Sequence, residues 1–500
     1  MNRRPTVCLI LEGSYPYITG GVSAWVHQLI LYLKDIDFVL YTISPGKDQP
    51  SRYDLPANVI DHKDMVLSAP LRTKRRPSHI SALIDEITGM HQPLLRGEAP
   101  ELEEIVGQIP EGYSLSADAI KSDAGWHLLS SRNQMKNPAY PFSDFFWAWK
   151  SAHDMMFAIL ADTAPEADLY HPVSTGYAGL AALCAKIRRG KPLILTEHGL
   201  YHKEREMEIR KAQFIRGYQR DMWIGIYNNL SRLSYRYADL IIALFEQNRR
   251  LQIELGAPAA KTRVIPNGID VSFYSGVRRR KKEGFHVGLV GRVVPIKDIK
   301  TFISMAKIVS QAIPQAEFHC IGPTDEDPGY FEDCQILVES LKLADCFHFT
   351  GRQDVREYYS FLDVLLLTSV REAQPLVILE AYCSGVPVVA TRVGNVAELL
   401  DYDDRFIAPS KEPEKLAAGV RFEYEHPEEM QLIVAKNRDR VVRFYDRDRV
   451  FQTYGELYRQ YTDASVAAAA PAVAAVAAET TAVAAETAAA AKRSRDSEAE

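Results

Sequence analysis

Apolar residues in this chain come in short blocks, separated by stretches with helical spacing. Val7-Cys8-Leu9-Ile10-Leu11 is continuous and apolar, the mark of a strand covered on both faces of a parallel sheet. A loop with Gly20 and Gly21 follows, then Trp25, Val26, Leu29, Ile30 and Leu33 at helical spacing. A second strand is predicted near 38–43, so the chain opens as βαβ, the start of a doubly wound sheet. Residues from about 50 to 165 break the rhythm and read as an insertion of polar loops and helices. It includes an aromatic-rich helix near 142–160, whose rings are read as packing residues.

The rhythm then resumes. Strands are predicted at 169–171, 192–196 and 238–244, with a helix at 179–187, a long charged helix before the third strand, and a turn at Val264-Ile265-Pro266-Asn267-Gly268. The second half restarts with a strand at 285–290, a loop to residue 300 and a helix at 301–311. Further strands are predicted at 317–321, 346–349, 364–367 and 387–390. The helix at 376–383 has Pro375 as its expected first residue, where a missing N–H costs nothing. A last amphipathic helix spans 441–461.

The expected organisation is a Rossmann-like domain over 1–275 with the insertion at about 50–165, and a second Rossmann-like domain over 283–440. A helix at 441–463 crosses back to the first domain, and a low-complexity tail occupies 464–500. That tail is mostly alanine. Alanine favours helix but offers little apolar surface to bury, so a disordered or loosely helical segment is expected.

Composition narrows the function classes. Of 500 residues, 47% are hydrophobic and 25% charged, as in ordinary globular proteins, and the formal net charge is −6. The chain therefore lacks the basic field of a nucleic-acid binder. Two local basic clusters exist, at 72–76 and 278–282. The second reads as a solvated linker, with contact to an anionic membrane surface as the alternative. Six scattered cysteines with no C-x-x-C pair suit a reducing cytoplasm. The apolar run after Arg3-Arg4 is too short for an export signal, and no transmembrane span is expected.

Four features carry candidate chemistry. Glu372 follows a predicted buried strand, and Glu380 lies on the helix that begins near Pro375. Strand ends of open α/β sheets bind ligands, and a helix start attracts anions. A carboxylate there can accept hydrogen bonds from sugar or ribose hydroxyls. Gly291-Arg292-Val293-Val294-Pro295-Ile296-Lys297 places two cations on a strand-to-helix loop, where they can hold a diphosphate and stabilise it as it leaves. Their plain alternative is a pair of surface cations. Gly20-Gly21 permits close backbone approach but is not G-x-G-x-x-G. His198 ends a strand; a satisfied structural histidine is the alternative, and His171 is placed similarly. Asp-x-Asp pairs at Asp35/Asp37, Asp325/Asp327 and Asp446/Asp448 read as surface charge, and no metal is expected.

Together with Thr196-Glu197-His198-Gly199 and Val264 through Asp270, these parts resemble the retaining glycosyltransferases of family four, with the GT-B fold, from Val7 to about Tyr461. The stretch Leu11–Tyr17 through Gly20-Gly21-Val22-Ser23-Ala24-Trp25 resembles more specifically the members that assemble Pel-type exopolysaccharide. The resemblance implies an α/β protein of GT-B architecture, two Rossmann-like domains facing across a cleft. It implies that Arg292 and Lys297 bind the donor diphosphate, with Gly291 beside them. Glu380 would bind the ribose. Glu372 and the backbone from Gln374 through Pro375 and Leu376 to Val377 would hold the sugar. His198 would touch the sugar from the other domain. Gly20 and Gly21 would lie near the phosphates or acceptor, and Gly351 and Arg352 beside the base. The donor would be a nucleotide sugar, UDP-linked by preference, with no further cofactor. The acceptor would be a glycan, and membrane-bound synthase subunits would be partners, drawing the protein to the inner face of the cytoplasmic membrane. A sugar-nucleotide epimerase or phosphorylase on the same fold, or a non-catalytic nucleotide-binding subunit, stays open at this point.

Overall fold

The computed structural model describes residues 3–463 apart from 48, 68–78, 114, 137–140, 213–214 and 216. The basic cluster at 72–76 and the tail at 464–500 lie outside the described residues. The chain forms two compact units. The first runs to Ile265 and takes the chain up again at Phe451; the second is Pro266–Val450.

In the first unit, β1 (Thr6–Glu12) is flanked by β2 (Asp37–Ser44) and β4 (Leu169–Pro172), and β3 (Val59–Val66) lies outside β2. All of these pairs are parallel. β5 (Ile194–Glu197), β6 (Leu240–Ala243) and β7 (Thr262–Val264) form a second parallel run. A parallel bridge joins Tyr170 to Leu193, and Tyr170 N–H donates to the Pro192 carbonyl at 3.0 Å, so β5 follows β4. The resulting order, 3-2-1-4-5-6-7, extends the doubly wound order in which strand direction of travel reverses at β1/β4.

β3 corrects the sequence reading, which took everything from about 50 to 165 as loops and helices. The inserted helices fall instead between β3 and β4, from Ile80–Leu95 to Phe142–Ala161. They bury a small core of their own around Leu83, Ile84, Ile105 and Phe157. In the last of them Phe145, Trp149 and Phe157 are buried as packing residues, while Trp147 is exposed. The single charged helix expected before β6 is two, Tyr201–Lys211 and Gly217–Tyr237.

The second unit repeats the plan. β8 (Phe285–Val290), β9 (Ala316–Ile321), β10 (Phe347–Gly351), β11 (Val364–Leu367), β12 (Val388–Thr391) and β13 (Ile407–Ala408) form one parallel sheet. Its order is β10-β9-β8-β11-β12-β13, with the reversal between β8 and β11. Apart from the edge strand β10, the strands are nearly all buried, as continuous apolar runs require of a sheet covered on both faces. The basic run at 278–282 is exposed but not free. Arg279 donates to the Tyr359 carbonyl at 2.5 Å, and the Lys282 ammonium lies 4.2 Å from the Phe361 ring centre. Among the described residues, no helix is long and apolar enough to cross a membrane.

Candidate active site

The second unit gathers its chemistry at the β8/β11 reversal. After β8 the chain passes through Gly291 into a single 3-10 turn, Pro295–Lys297. The Lys297 ammonium meets the Glu372 carboxylate at 2.5 Å, and Ser369 donates to the same oxygen at 2.7 Å. The Thr368 hydroxyl caps the Lys297 carbonyl at 2.7 Å, and Val370 N–H donates to Ile296 at 2.9 Å. Two loops from adjacent strands are thereby locked together. Both charged side chains are mostly covered, at 19% and 17% exposure.

Two glycines hold these loops close. A Cβ on Gly322, whose φ is +152°, would stand 2.0 Å from the Gly291 carbonyl oxygen. One on Gly394, at φ +51°, would stand 2.1 Å from the Ala373 carbonyl oxygen. Gly322 N–H also donates to Gly351 at 2.9 Å, lining up Gly291, Gly322 and Gly351 along the carboxyl ends of β8, β9 and β10. Arg352, next to Gly351, is exposed.

The helix Leu376–Cys383 starts beside this pair, with Pro375 just outside it as the N-cap and no side-chain cap. Leu376 and Val377 in its first turn are half-buried. Gln374 is buried and spends its amide on one backbone residue, accepting from Asn267 N–H at 2.9 Å and donating to the Asn267 carbonyl at 3.0 Å. Glu380 accepts from the Tyr359 hydroxyl at 3.2 Å. Burial raises its carboxyl above the usual range, against hydrogen bonds from Tyr274 and Tyr359. Arg292 is not brought to the Lys297–Glu372 pair. Its guanidinium engages Glu326 at 2.5 Å, with both side chains about half exposed.

In the first unit, Gly20 is extended and Gly21 opens the helix Gly21–Tyr32. Both are exposed, and an added Cβ at either would meet nothing within 4 Å. Neither glycine is demanded by the unit's own packing. His198 follows β5, is 8% exposed and packs edge-on to Trp25 with ring centres 4.5 Å apart. Its Nε2 is buried without a hydrogen-bond partner, and burial lowers its pKa to about 4, so the ring is neutral. His171 is structural. It lies fully buried on β4, bonded to the Tyr458 hydroxyl at 2.6 Å and to Thr196 at 2.9 Å.

Sequence reading gave no role to two carboxylates of this unit. Glu12, at the end of β1, accepts from the N–H groups of Tyr177 at 2.7 Å and Ala178 at 3.2 Å, and from the Tyr201 hydroxyl at 2.6 Å. It thus occupies the start of the helix Tyr177–Arg189, the place an anionic ligand would take. The signal was a charged residue closing an apolar strand. Glu197, fully buried, accepts from Tyr235 at 2.6 Å and Gln252 at 2.9 Å and serves the core. Members of the Asp-x-Asp pairs serve the fold. Asp327 caps the helix Pro328–Ser340, and Asp35 pairs with Arg459. Among the described residues no group of three or more His, Cys, Asp or Glu is arranged to hold a metal.

Two linked units of the same doubly wound order, with the charged pair at the reversal of the second, define the GT-B class. Residues 284–425 match the family model described as glycosyl transferases group 1, which makes the second unit a domain of that kind. The chain belongs to the family described as a domain of unknown function (DUF3492), whose model matches residues 5–260. The N-acetyl-alpha-D-glucosaminyl L-malate synthase of Bacillus anthracis is 29% identical over 191 residues, 35% of this chain and 48% of that protein. An alpha-1,3-N-acetylgalactosaminyltransferase of Campylobacter jejuni, acting on N,N'-diacetylbacillosaminyl-diphospho-undecaprenol, is 27% identical over 256 residues, 48% of this chain and 66% of that one. The chain thus spans about half to two thirds of the length of these relatives. In fold it is similar to Anabaena HepE in complex with UDP and glucose, with a TM-score of 0.54, 17% identity and coverage of 90% of this chain and 98% of that one. The sucrose-phosphate synthase of Thermosynechococcus elongatus gives a TM-score of 0.56 at 18% identity, covering 91% and 99%.

Proposed function

We propose that this protein is a retaining glycosyltransferase that moves a sugar from a UDP-linked donor to a growing exopolysaccharide of Pel type, in the manner of PelF. The observation that carries the reading is the Lys297–Glu372–Ser369 cluster, set beside Gly291 and the uncapped start of helix Leu376–Cys383. An ammonium, bare N–H groups and a helix dipole in one place suit a diphosphate. The carboxylate beside them suits sugar hydroxyls.

In this reading Lys297 and the helix start neutralise charge as it grows on the departing diphosphate, doing the work a metal does elsewhere. Arg292 joins them by exchanging Glu326 for phosphate. Glu380, oriented by Tyr359 and Tyr274, takes the ribose hydroxyls. Gly351 and Arg352 border the base. Glu372, Gln374 and Pro375, with the backbone of Leu376 and Val377, shape the sugar subsite. His198 is assigned to the sugar through its unpaired Nε2, and Gly20-Gly21 to the acceptor through a bare backbone. No carboxylate is assigned as a nucleophile. The acceptor attacks the face the diphosphate leaves, and the diphosphate takes its proton, so the anomeric configuration is kept.

The fully or partly buried free cysteines suit a reducing cytoplasm, and membrane-bound synthase subunits are the proposed partners. The test is UDP release from UDP-glucose and UDP-N-acetylhexosamines with and without oligosaccharide acceptors, with the anomeric configuration of the product read by NMR. Acceptor-dependent UDP release with an α-linked product is expected. Donor epimerisation without an acceptor, or nucleotide binding without turnover, would contradict the reading in favour of an epimerase or a binding subunit.

A further inference from the structure

The carboxyl-terminal helix Arg447–Thr462 carries more buried aromatic surface than a simple strap requires. From Phe451 onward it belongs to the first unit, and Phe451, Tyr454 and Tyr458 are each exposed by 1% or less. It packs close to the end of the helix Gly21–Tyr32: a Cβ on Gly455 would stand 2.8 Å from a terminal methyl of Leu33, the residue after that helix.

This approach sets a row of rings in contact. Tyr454 stands 5.1 Å and Phe451 6.2 Å from the Trp25 ring centre, both edge-on. Trp25 in turn stands 4.5 Å from His198, again edge-on. A polar chain joins the same helix to the strand end. Tyr458 bonds His171, His171 bonds Thr196, and Thr196 bonds the Tyr454 hydroxyl at 3.2 Å. Burial lowers the His171 pKa to about 3, so this chain is neutral. Thr196 also lies two residues before His198 on the same strand end. His198 is therefore held by a ring on one side and by its own strand, while its Nε2 is given no partner.

We propose that Trp25, Tyr454 and Tyr458 are positioning residues for His198, so that the far carboxyl-terminal helix sets the aim of the imidazole used in sugar transfer. This rests on the sugar contact assigned to His198 above. Trp25 is the lever and Tyr454 its stop; the Tyr458–His171–Thr196 chain fixes the register of the helix that carries the stop. None of the three is required to touch the substrate.

The experiment is a double-mutant cycle on the full chain, with UDP-glucose and UDP-N-acetylglucosamine as donors and UDP release as the readout. Trp25→Phe keeps an apolar ring but shortens the lever. It is expected to lower kcat about tenfold with little change in KM for the donor, and with UDP affinity by calorimetry unchanged. His198→Ala is expected to lower kcat at least as far. The double variant should be no slower than His198→Ala alone, because contacting groups in one unit are non-additive. Tyr458→Phe should reproduce a smaller part of the kcat loss. Multiplicative effects of Trp25→Phe and His198→Ala, or a lower melting temperature with kcat intact, would overturn the positioning role. Wild-type turnover in His198→Ala would overturn the sugar contact itself, and the positioning role with it. Loss of UDP binding in Trp25→Phe would show a folding defect in place of a positioning role and would also overturn it.

Discussion

At the scale of single residues, the candidate site depends on one ammonium being held where two loops meet. Lys297→Ala is expected to cost roughly 2–4 kcal/mol of transition-state stabilisation, as removal of a preorganised charge-stabilising donor does; kcat/KM for UDP-sugar turnover checks it. Glu326→Gln frees Arg292 from an exposed pair worth at most about 1 kcal/mol, so UDP affinity should rise by no more than that. A fall in affinity would show that Glu326 itself helps the ligand. Lys297, Glu372 and Glu380 were legible in the sequence because each sits at a strand end or helix start, which periodicity locates. Their partners were not. Tyr359 reaches Glu380 from 21 positions away and Tyr201 reaches Glu12 from 189, and no local pattern encodes such meetings. His171 and His198 look alike in sequence; only the buried bonds to Tyr458 and Thr196 separate the structural ring from the one with a spare nitrogen.

At the scale of elements, strands covered on both faces were legible as apolar runs; of the edge strands β10 was legible at 346–349, while β3 and β13 were not. β3 reads Val59-Ile-Asp-His-Lys-Asp-Met-Val66 and, among the described residues, has a neighbour on one side only, so Asp61 and Asp64 stay exposed and polar residues interrupt the apolar run that would mark the strand. The loops of the site depend on glycines whose need is also tertiary. Gly394→Ala forces a side chain onto the Ala373 carbonyl at a left-handed φ, and should displace Glu372. Weaker UDP-sugar turnover together with a lower melting temperature is the expected result. The helix Pro413–Glu425 carries a different cost. Glu423 is 5% exposed, neither carboxyl oxygen has a partner, and burial raises its pKa well above the ordinary value. Its folded form therefore holds a proton that the unfolded chain releases, and stability falls as pH rises through that window. Glu423→Gln should be more stable than the wild type at pH 7–8, by about 1–3 kcal/mol, and the gain should vanish below pH 4. Melting curves across that range decide it.

For the whole molecule, two successive sheets of one strand order are what the repeated strand-and-helix rhythm foretold. The join at Ile265/Pro266 and the return of the chain at Phe451 are set by packing that no composition shift marks. Removing residues 464–500 should leave UDP affinity unchanged. Ending the chain at residue 446 takes away Phe451, Tyr454 and Tyr458, and should cost the first unit its cooperative melting, seen by circular dichroism. Calorimetric titration of UDP into the wild type and Lys297→Ala reads the diphosphate role of Lys297 without any turnover. Saturable binding to the wild type, weakened at least tenfold by the substitution, is expected. Equal affinity in the two proteins would contradict it.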